Sequence, residues 1–140
     1  MIAILDFGSQ YNQLIARRVR ECRVYCEILD HDVKPAALKA RKVQGIILSG
    51  GPASIFDKGV PTCDPGIFEL GVPVLGICYG VQLMAHTLGG KVTSSPLREY
   101  GPAELELNEK GKRSLLFAGL EGRQRVWMSH GDRVTRLPRG

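Results

Sequence analysis

One of the four cysteines, Cys78, stands where a nucleophile would be presented to a substrate. It is the centre of residues 76–80, which read Gly-Ile-Cys-Tyr-Gly, the spacing of a nucleophile elbow with cysteine in place of serine. A short apolar run typical of a strand precedes this segment, and apolar residues after it recur as on one helix face. The sequence therefore predicts a sharp strand-to-helix turn with the Cys78 side chain exposed at its tip.

The predicted place of Cys78 at the start of a helix favours covalent chemistry. The positive end of the helix dipole and the unpaired N–H groups there stabilise a thiolate. The N–H of Tyr79 would point to where an oxyanion forms on a carbonyl under attack. Acyl transfer through a thioester is the predicted reaction, and the alternative is that Cys78 is an ordinary buried residue.

The chain before the elbow alternates strand patterns with helix patterns. Strands are predicted at residues 1–5, 24–29 and 44–48, and helices at residues 11–22 and 34–40. Ser9 is the predicted N-cap of the first helix. The alternation predicts an α/β fold with a doubly wound, mostly parallel sheet, in which ligands bind at the carboxyl ends of the strands.

A Gly-Gly loop at residues 49–54 follows the third predicted strand, on the same edge of the sheet as Cys78. Backbone can approach a ligand closely at such a loop, although a plain turn is equally consistent with the residues. Beside an elbow, a neighbouring loop commonly supplies the second N–H of an oxyanion hole. No lysine-containing phosphate loop occurs, so the sequence predicts no ATP binding by that device.

The pattern changes beyond residue 88 to short alternating segments. Antiparallel strands are predicted at residues 89–93, 103–107 and 126–128, with connecting turns at residues 108–111 and 120–123. Two polar segments, residues 95–101 and 129–132, are also predicted to be turns.

Composition excludes several classes of protein. With 44% hydrophobic and 24% charged residues among 140, the chain is globular and forms one domain or part of one. It lacks an eighteen-residue apolar run and a signal-peptide pattern, which predicts a cytosolic protein without a membrane span. The cysteine spacing predicts neither a metal site nor a disulfide. The net charge of +5 is dispersed without interleaved aromatic residues, so nucleic-acid binding is not expected.

Taken together, the motifs resemble a known family. Residues 50–52 and 76–82 are similar to the class I, triad-type, glutamine amidotransferases, whose fold is flavodoxin-like. Further segments resemble the amidotransferase domains of GMP synthetases in particular, and these are residues 5–11, 16–21, 98–101 and 127–132. The resemblance covers the whole chain.

The resemblance implies roles for individual residues. Cys78 would attack the carboxamide of glutamine and release ammonia, while the amides of Gly51 and Tyr79 would hold the oxyanion. Gln82 would line the glutamine pocket, which residues 98–101 would border. The remaining glutamine-binding positions, which would hold the α-amino and α-carboxylate groups, are Ser129, Gly131 and Asp132.

The resemblance also implies a larger enzyme. Ammonia would pass to xanthosine monophosphate on an ATP-pyrophosphatase (synthetase) domain, where ATP and magnesium would bind, so no cofactor is expected in this chain. The sequence leaves open whether that domain is fused or separate. A homodimer would form through it.

One part of the family pattern is missing. The family's general acid comes from a His-Pro-Glu segment after the glutamine-binding loop, and residues 1–140 contain no such segment. We therefore expect a C-terminally incomplete domain that is inactive alone. His86 would lie about 12 Å along the helix from Cys78, and surface or turn positions are the simpler account of His31 and His130.

Two alternatives remain at this point. The first is a non-catalytic pseudo-amidotransferase that keeps a glutamine pocket as a binding module. The second is the glutamine subunit of anthranilate or aminodeoxychorismate synthase, which shares the elbow. The opening at residues 6–11, Asp-Phe-Gly-Ser-Gln-Tyr, favours the GMP synthetase type instead.

Overall fold

The computed structural model describes the backbone of residues 1–139 and the side chains of residues 1–94, 100–129 and 131–139. The elements in chain order are β1 (Ile2–Asp6), α1 (Asn12–Glu21), β2 (Cys26–Asp30), α2 (Pro35–Ala40), β3 (Gly45–Leu48), a 3₁₀ helix (Pro65–Glu69), β4 (Val74–Gly76), α3 (Tyr79–Thr87), β5 (Lys91–Glu106), α4 (Glu109–Lys112), a second 3₁₀ helix (Leu115–Phe117) and β6 (Arg123–Arg136). The chain divides into a sheet unit, residues 1–94 with the chain from Asp132 onward, and a hairpin unit, Ser95–Gly131.

The sheet unit is built on four parallel strands in the order β2-β1-β3-β4. In this order β2 and β3 lie on opposite sides of β1, so the direction of winding reverses between β1 and β3. In open α/β sheets, ligands bind at the carboxyl ends of the strands next to such a reversal. The loop after β3 and the turn after β4 both begin at this edge.

Apolar residues of the strands alternate between two cores on opposite faces of the sheet. Ile4 of β1 packs with Ala16 of α1 on one face. Leu5 and Leu48 pack on the other face, against residues from α2, the first 3₁₀ helix and α3 that include Leu38, Ile67 and Leu83. Because side chains alternate along a strand, one strand supplies both cores. Helices therefore cover both faces, and the predicted doubly wound α/β fold is confirmed.

Helix α1 begins two residues later than a cap at Ser9 predicts. Its N-cap is Tyr11, whose side chain is 66% exposed. The Ser9 hydroxyl instead accepts a hydrogen bond from the Tyr11 N–H at 3.1 Å, in a turn that starts at Gly8 with φ of +90°. The prediction that Ser9 caps the helix was wrong, and the buried face of α1 is marked by Asn12 and Ala16.

The second half of the chain forms longer strands than the sequence predicted. Strands β5 and β6 pair with each other as a separate two-stranded sheet. Residues 95–101 lie within β5 and residues 129–132 within β6, so both predicted polar turns were wrong. Gly101 has φ of +122°, a backbone conformation that glycine adopts readily, so strand β5 continues through this position. The predicted turn at residues 108–111 is the short helix α4, capped by Asn108.

The described helices are short. The longest, α1, has ten residues. Across the part of the chain that the structure describes, no helix combines the length and apolar character needed to cross a bilayer.

Candidate active site

Cys78 lies in the two-residue turn between β4 and α3, where the elbow was predicted. It is the N-cap of α3 and has φ of 51° and ψ of −112°, and its side chain is exposed. A non-glycine residue with this backbone conformation is strained by about 1–3 kcal/mol, so the surrounding structure must hold it there. The predicted nucleophile elbow is confirmed as a structure, and its catalytic use remains a prediction.

The glycines on either side of Cys78 let the turn fold back on the sheet. A β-carbon at Gly76 would lie 2.6 Å from the backbone nitrogen of Val81, in the first turn of α3. A β-carbon at Gly80 would collide with the Leu48 carbonyl oxygen at the end of β3. Only glycine permits both approaches. The helix start is therefore pressed against the carboxyl ends of β3 and β4.

The buried side chain of Tyr79 holds the elbow in place. It is fully buried, and its hydroxyl donates a hydrogen bond to the Pro61 carbonyl oxygen at 2.7 Å. Its ring packs against Phe7, with 5.6 Å between ring centroids. Burial raises the pKa of the Tyr79 hydroxyl, which keeps it neutral as a donor. Tyr79 thus fixes the start of α3 on the loop that follows β3.

The Tyr79 N–H, whose role as an oxyanion donor remains a prediction, belongs to the first residue of α3. The N–H of Gly80 donates to Ile77 O, and those of Val81 and Gln82 donate to Cys78 O. Among the residues that the structure describes, no acceptor is bonded to the Tyr79 N–H. It is one of the helix amides that lack an intrahelical partner.

The Gly-Gly loop lies directly beside the nucleophile. A β-carbon at Gly50 would lie 3.5 Å from the Cys78 β-carbon, and one at Gly51 would collide with the Phe7 carbonyl oxygen. The loop is fixed further by Ser49, whose hydroxyl accepts a hydrogen bond from the Phe7 N–H at 3.0 Å. The prediction that this loop and Cys78 share one edge is confirmed, and the role of Gly51 as an oxyanion donor remains a prediction.

Two of the predicted glutamine-binding residues meet in the sheet unit. Gln82 and Asp132 are buried, with 5% and 8% of their surface exposed. Gln82 Nε2 donates a hydrogen bond to the Asp132 main-chain carbonyl oxygen at 2.8 Å. Ser54 joins them, because its hydroxyl donates to Asp132 Oδ2 at 2.5 Å. These contacts gather α3, β6 and the loop after β3 at one point.

The other predicted binding residues belong to the hairpin unit. Ser129 is exposed and Gly131 is partly buried, both within β6. Their place in a glutamine pocket remains a prediction. In the segment predicted to border the pocket, the side chains of residues 98 and 99 lie outside the described residues.

The histidines are placed as the sequence suggested where they are described. His86 lies in the last turn of α3 and is exposed. His31 Nδ1 is 2.7 Å from the Thr62 carbonyl oxygen, and its ring packs against Phe7. The side chain of His130 lies outside the described residues. Within those residues, no group of three or more His, Cys, Asp or Glu side chains is arranged to hold a metal ion.

Sequence reasoning missed Ser54 as part of the site. Ser54 is separated from Asp132 by 78 residues, and no local pattern links the two positions. The signal available was its place in the Gly-Gly loop, which was predicted to lie on the nucleophile's edge. Phe7 was missed as well, although it connects the Gly-Gly loop with Tyr79.

Comparison with known proteins agrees with this geometry. The family pattern "Glutamine amidotransferase class-I" matches residues 3–140. The glutamine-hydrolyzing GMP synthase of Geobacillus kaustophilus is 57% identical over 140 residues, and that of Clostridium perfringens is 52% identical over 140 residues. All of this chain is aligned in both cases, but it spans only 27% of each relative.

Solved structures show the same fold. A putative GMP synthase subunit from Thermoplasma acidophilum superimposes with a TM-score of 0.80 and 29% identity, over 98% of this chain and 67% of that one. A glutamine amidotransferase from Thermotoga maritima gives a TM-score of 0.70 at 22% identity, over 99% and 63%. The resemblance carried by the motifs is confirmed, and the chain belongs to the class I glutamine amidotransferase family.

Proposed function

We propose that this chain is the glutamine amidotransferase part of a GMP synthetase and that Cys78 is its nucleophile. The observation that carries the proposal is the backbone of Cys78, held with positive φ at the N-terminus of α3 and exposed beside the Gly-Gly loop. Strain of this kind is typical of functional positions. The similarity to glutamine-hydrolyzing GMP synthases supports the choice of substrate and product.

The proposed reaction proceeds through a thioester. The Cys78 thiolate attacks the side-chain amide carbon of glutamine, forming a C–S bond and pushing the carbonyl electrons onto oxygen. The N–H groups of Tyr79 and Gly51 stabilise that oxyanion. When the carbonyl re-forms, the C–N bond breaks and the nitrogen leaves as ammonia after gaining a proton. Water then cleaves the γ-glutamyl thioester, which releases glutamate and the thiolate.

The proton for the leaving nitrogen needs a general acid. We assign none of the histidines described here to that role, because His86 is too far along α3 and His31 is bonded to Thr62. The proposal places the acid in the His-Pro-Glu segment of the family, outside residues 1–140. Without that acid, residues 1–140 alone would not hydrolyse glutamine.

The rest of the proposed enzyme would use the ammonia. In that enzyme a synthetase domain binds ATP and magnesium and aminates xanthosine monophosphate to GMP. The curated relatives are about four times as long as this chain, which supports a domain of this kind in the same polypeptide. The same proposal includes a homodimer formed through the synthetase domain and a cytoplasmic location of the enzyme.

The test uses the protein expressed from its complete reading frame. Cys78→Ala should abolish glutamate release and glutamine-dependent GMP formation, while added ammonia still supports GMP formation. Cys22→Ala is the matched control, because Cys22 is also exposed but lies at the end of α1. Residues 1–140 alone should release no glutamate above the Cys78→Ala background.

Two results would contradict the proposal. Glutamate release that persists in Cys78→Ala would show that Cys78 is not the nucleophile. Glutamine binding without any glutamate release in the parent protein would identify a pseudo-amidotransferase instead.

A further inference from the structure

We infer that Ser54 is a positioning residue that sets the substrate-facing orientation of the Asp132 carboxylate. The inference rests on the proposed function and on the predicted place of Asp132 among the residues that hold the α-amino and α-carboxylate groups of glutamine. We assign its carboxylate to the α-amino group. Ser54 donates its hydroxyl proton to Asp132 Oδ2. One carboxylate oxygen is therefore held by the protein, which leaves Oδ1 to bind the substrate.

The charge on Asp132 is the first argument. The residue is 8% exposed, and none of the ion pairs formed by described side chains includes it. A buried carboxylate is costly without a cation or several hydrogen bonds. The α-ammonium group of an amino acid is a cation of the right size and charge for this position.

The rigidity of Ser54 is the second argument. Its backbone N–H donates to Asp57 Oδ2 at 3.0 Å, and the Asp57 N–H donates back to the Ser54 carbonyl oxygen at 3.0 Å. The Ser54 hydroxyl oxygen also accepts from the Phe56 N–H at 3.3 Å. The hydroxyl therefore accepts from the Phe56 N–H while it donates to Asp132. A donor fixed in this way pre-organises its partner.

Position along α3 is the third argument. Gln82 holds the Asp132 main chain from one helical turn beyond Cys78, a rise of about 6 Å. This distance is of the same order as the length of a glutamine side chain. A substrate with its amide carbon at Cys78 would therefore bring its α-amino end to the part of the site where Ser54 and Gln82 hold Asp132.

The experiment compares glutamine with 4-carbamoylbutanoate, which is glutamine without the α-amino group, in the protein from the complete reading frame. Ser54→Ala should raise the KM for glutamine about tenfold, because a hydrogen bond to a charged group contributes about that factor to binding. The kcat should stay within about twofold of the parent value. The KM for 4-carbamoylbutanoate should not change. The ratio of kcat/KM for glutamine to kcat/KM for 4-carbamoylbutanoate should therefore fall about tenfold.

Ser54→Thr and Ser54→Val form the decisive pair, because their side chains have nearly the same shape and differ in the hydroxyl. Threonine should keep the preference for glutamine, and valine should lose it. Ser114→Ala is the matched control, since the Ser114 hydroxyl also accepts from the N–H two residues on, that of Leu116, but belongs to the hairpin unit. Its kinetics should equal those of the parent.

The results distinguish the two proposals. Equal losses with both substrates in Ser54→Ala, or equal behaviour of the threonine and valine variants, would overturn the positioning role while Cys78-dependent hydrolysis persisted. Hydrolysis that persisted in Cys78→Ala would instead overturn the proposed function.

Discussion

The amide side chain of Gln82 and the main-chain carbonyl of Asp132 are joined by a buried hydrogen bond of 2.8 Å. The bond connects helix α3, which begins at the nucleophile, to strand β6, which carries a predicted substrate-binding carboxylate. Loss of a buried donor leaves its acceptor unsatisfied and costs about 1–3 kcal/mol. The bond therefore contributes both to stability and to the placement of Asp132.

Gln82→Ala should lower the free energy of unfolding by about 1–3 kcal/mol and raise the KM for glutamine, because Asp132 loses its main-chain support. Ammonia-dependent GMP formation should not change. Denaturant unfolding and steady-state kinetics measure the two effects. Gln13→Ala, at an exposed position of α1, is the control and should change neither. An unchanged KM in Gln82→Ala would show that this bond does not shape the glutamine site.

Gly80→Ala should disrupt the elbow, because the added β-carbon would collide with the Leu48 carbonyl oxygen. Overpacking of this kind costs about 1–3 kcal/mol, and α3 would have to move away from β3 to relieve it. Both thermal stability and glutaminase activity should fall. Gly122→Ala is the control, since its β-carbon would meet only the end of Lys112, at 4.0 Å. Full activity in Gly80→Ala would contradict the close helix–strand packing described here.

The sequence predicted the parts of this fold that depend on local spacing. Strand and helix periods located β1, β3 and α3, and the glycines around Cys78 located the turn between β4 and α3, because the close approaches there exclude a side chain. The contact between Ser54 and Asp132 could not be predicted, since it depends on where two distant segments meet in space.

Local turn chemistry misled the reading of β5 and β6. Serine, glycine and aspartate favour turns when considered alone, but pairing of two long strands overrode that preference in residues 95–101 and 129–132. At α1, the apolar period included Tyr11 and Cys22, which are exposed at the ends of the helix. Asn12 is buried but polar, so the apolar period could not identify it as part of the buried face of α1.

Stability should fall in alkaline solution through Cys63. Burial raises the pKa of its thiol, so the folded protein keeps the proton at a pH where the unfolded chain loses it. The contribution of this thiol to the free energy of unfolding is therefore constant below the ordinary cysteine pKa of about 8.5. It falls as pH rises toward the folded-state pKa, by at most about 1.4 kcal/mol per pH unit. The buried Tyr79 hydroxyl adds a loss in the same direction at higher pH.

Urea unfolding between pH 7 and 10 measures this slope. Cys63→Ala should reduce it, whereas Cys22→Ala, which removes an exposed thiol, should retain it. A slope that is the same in the parent and in Cys63→Ala would show that the Cys63 thiol is not protected by burial.

The most direct test of the central claim is to map the site of modification by a glutamine-like diazoketone, 6-diazo-5-oxo-norleucine. Cys78 and Cys22 are both exposed, so iodoacetamide should label both, whereas Cys26 and Cys63 are buried. The diazoketone should instead form one adduct per chain, on Cys78, and excess glutamine should prevent it. Modification of Cys22 at a comparable rate, or no protection by glutamine, would contradict the claim that Cys78 is the nucleophile of a glutamine site.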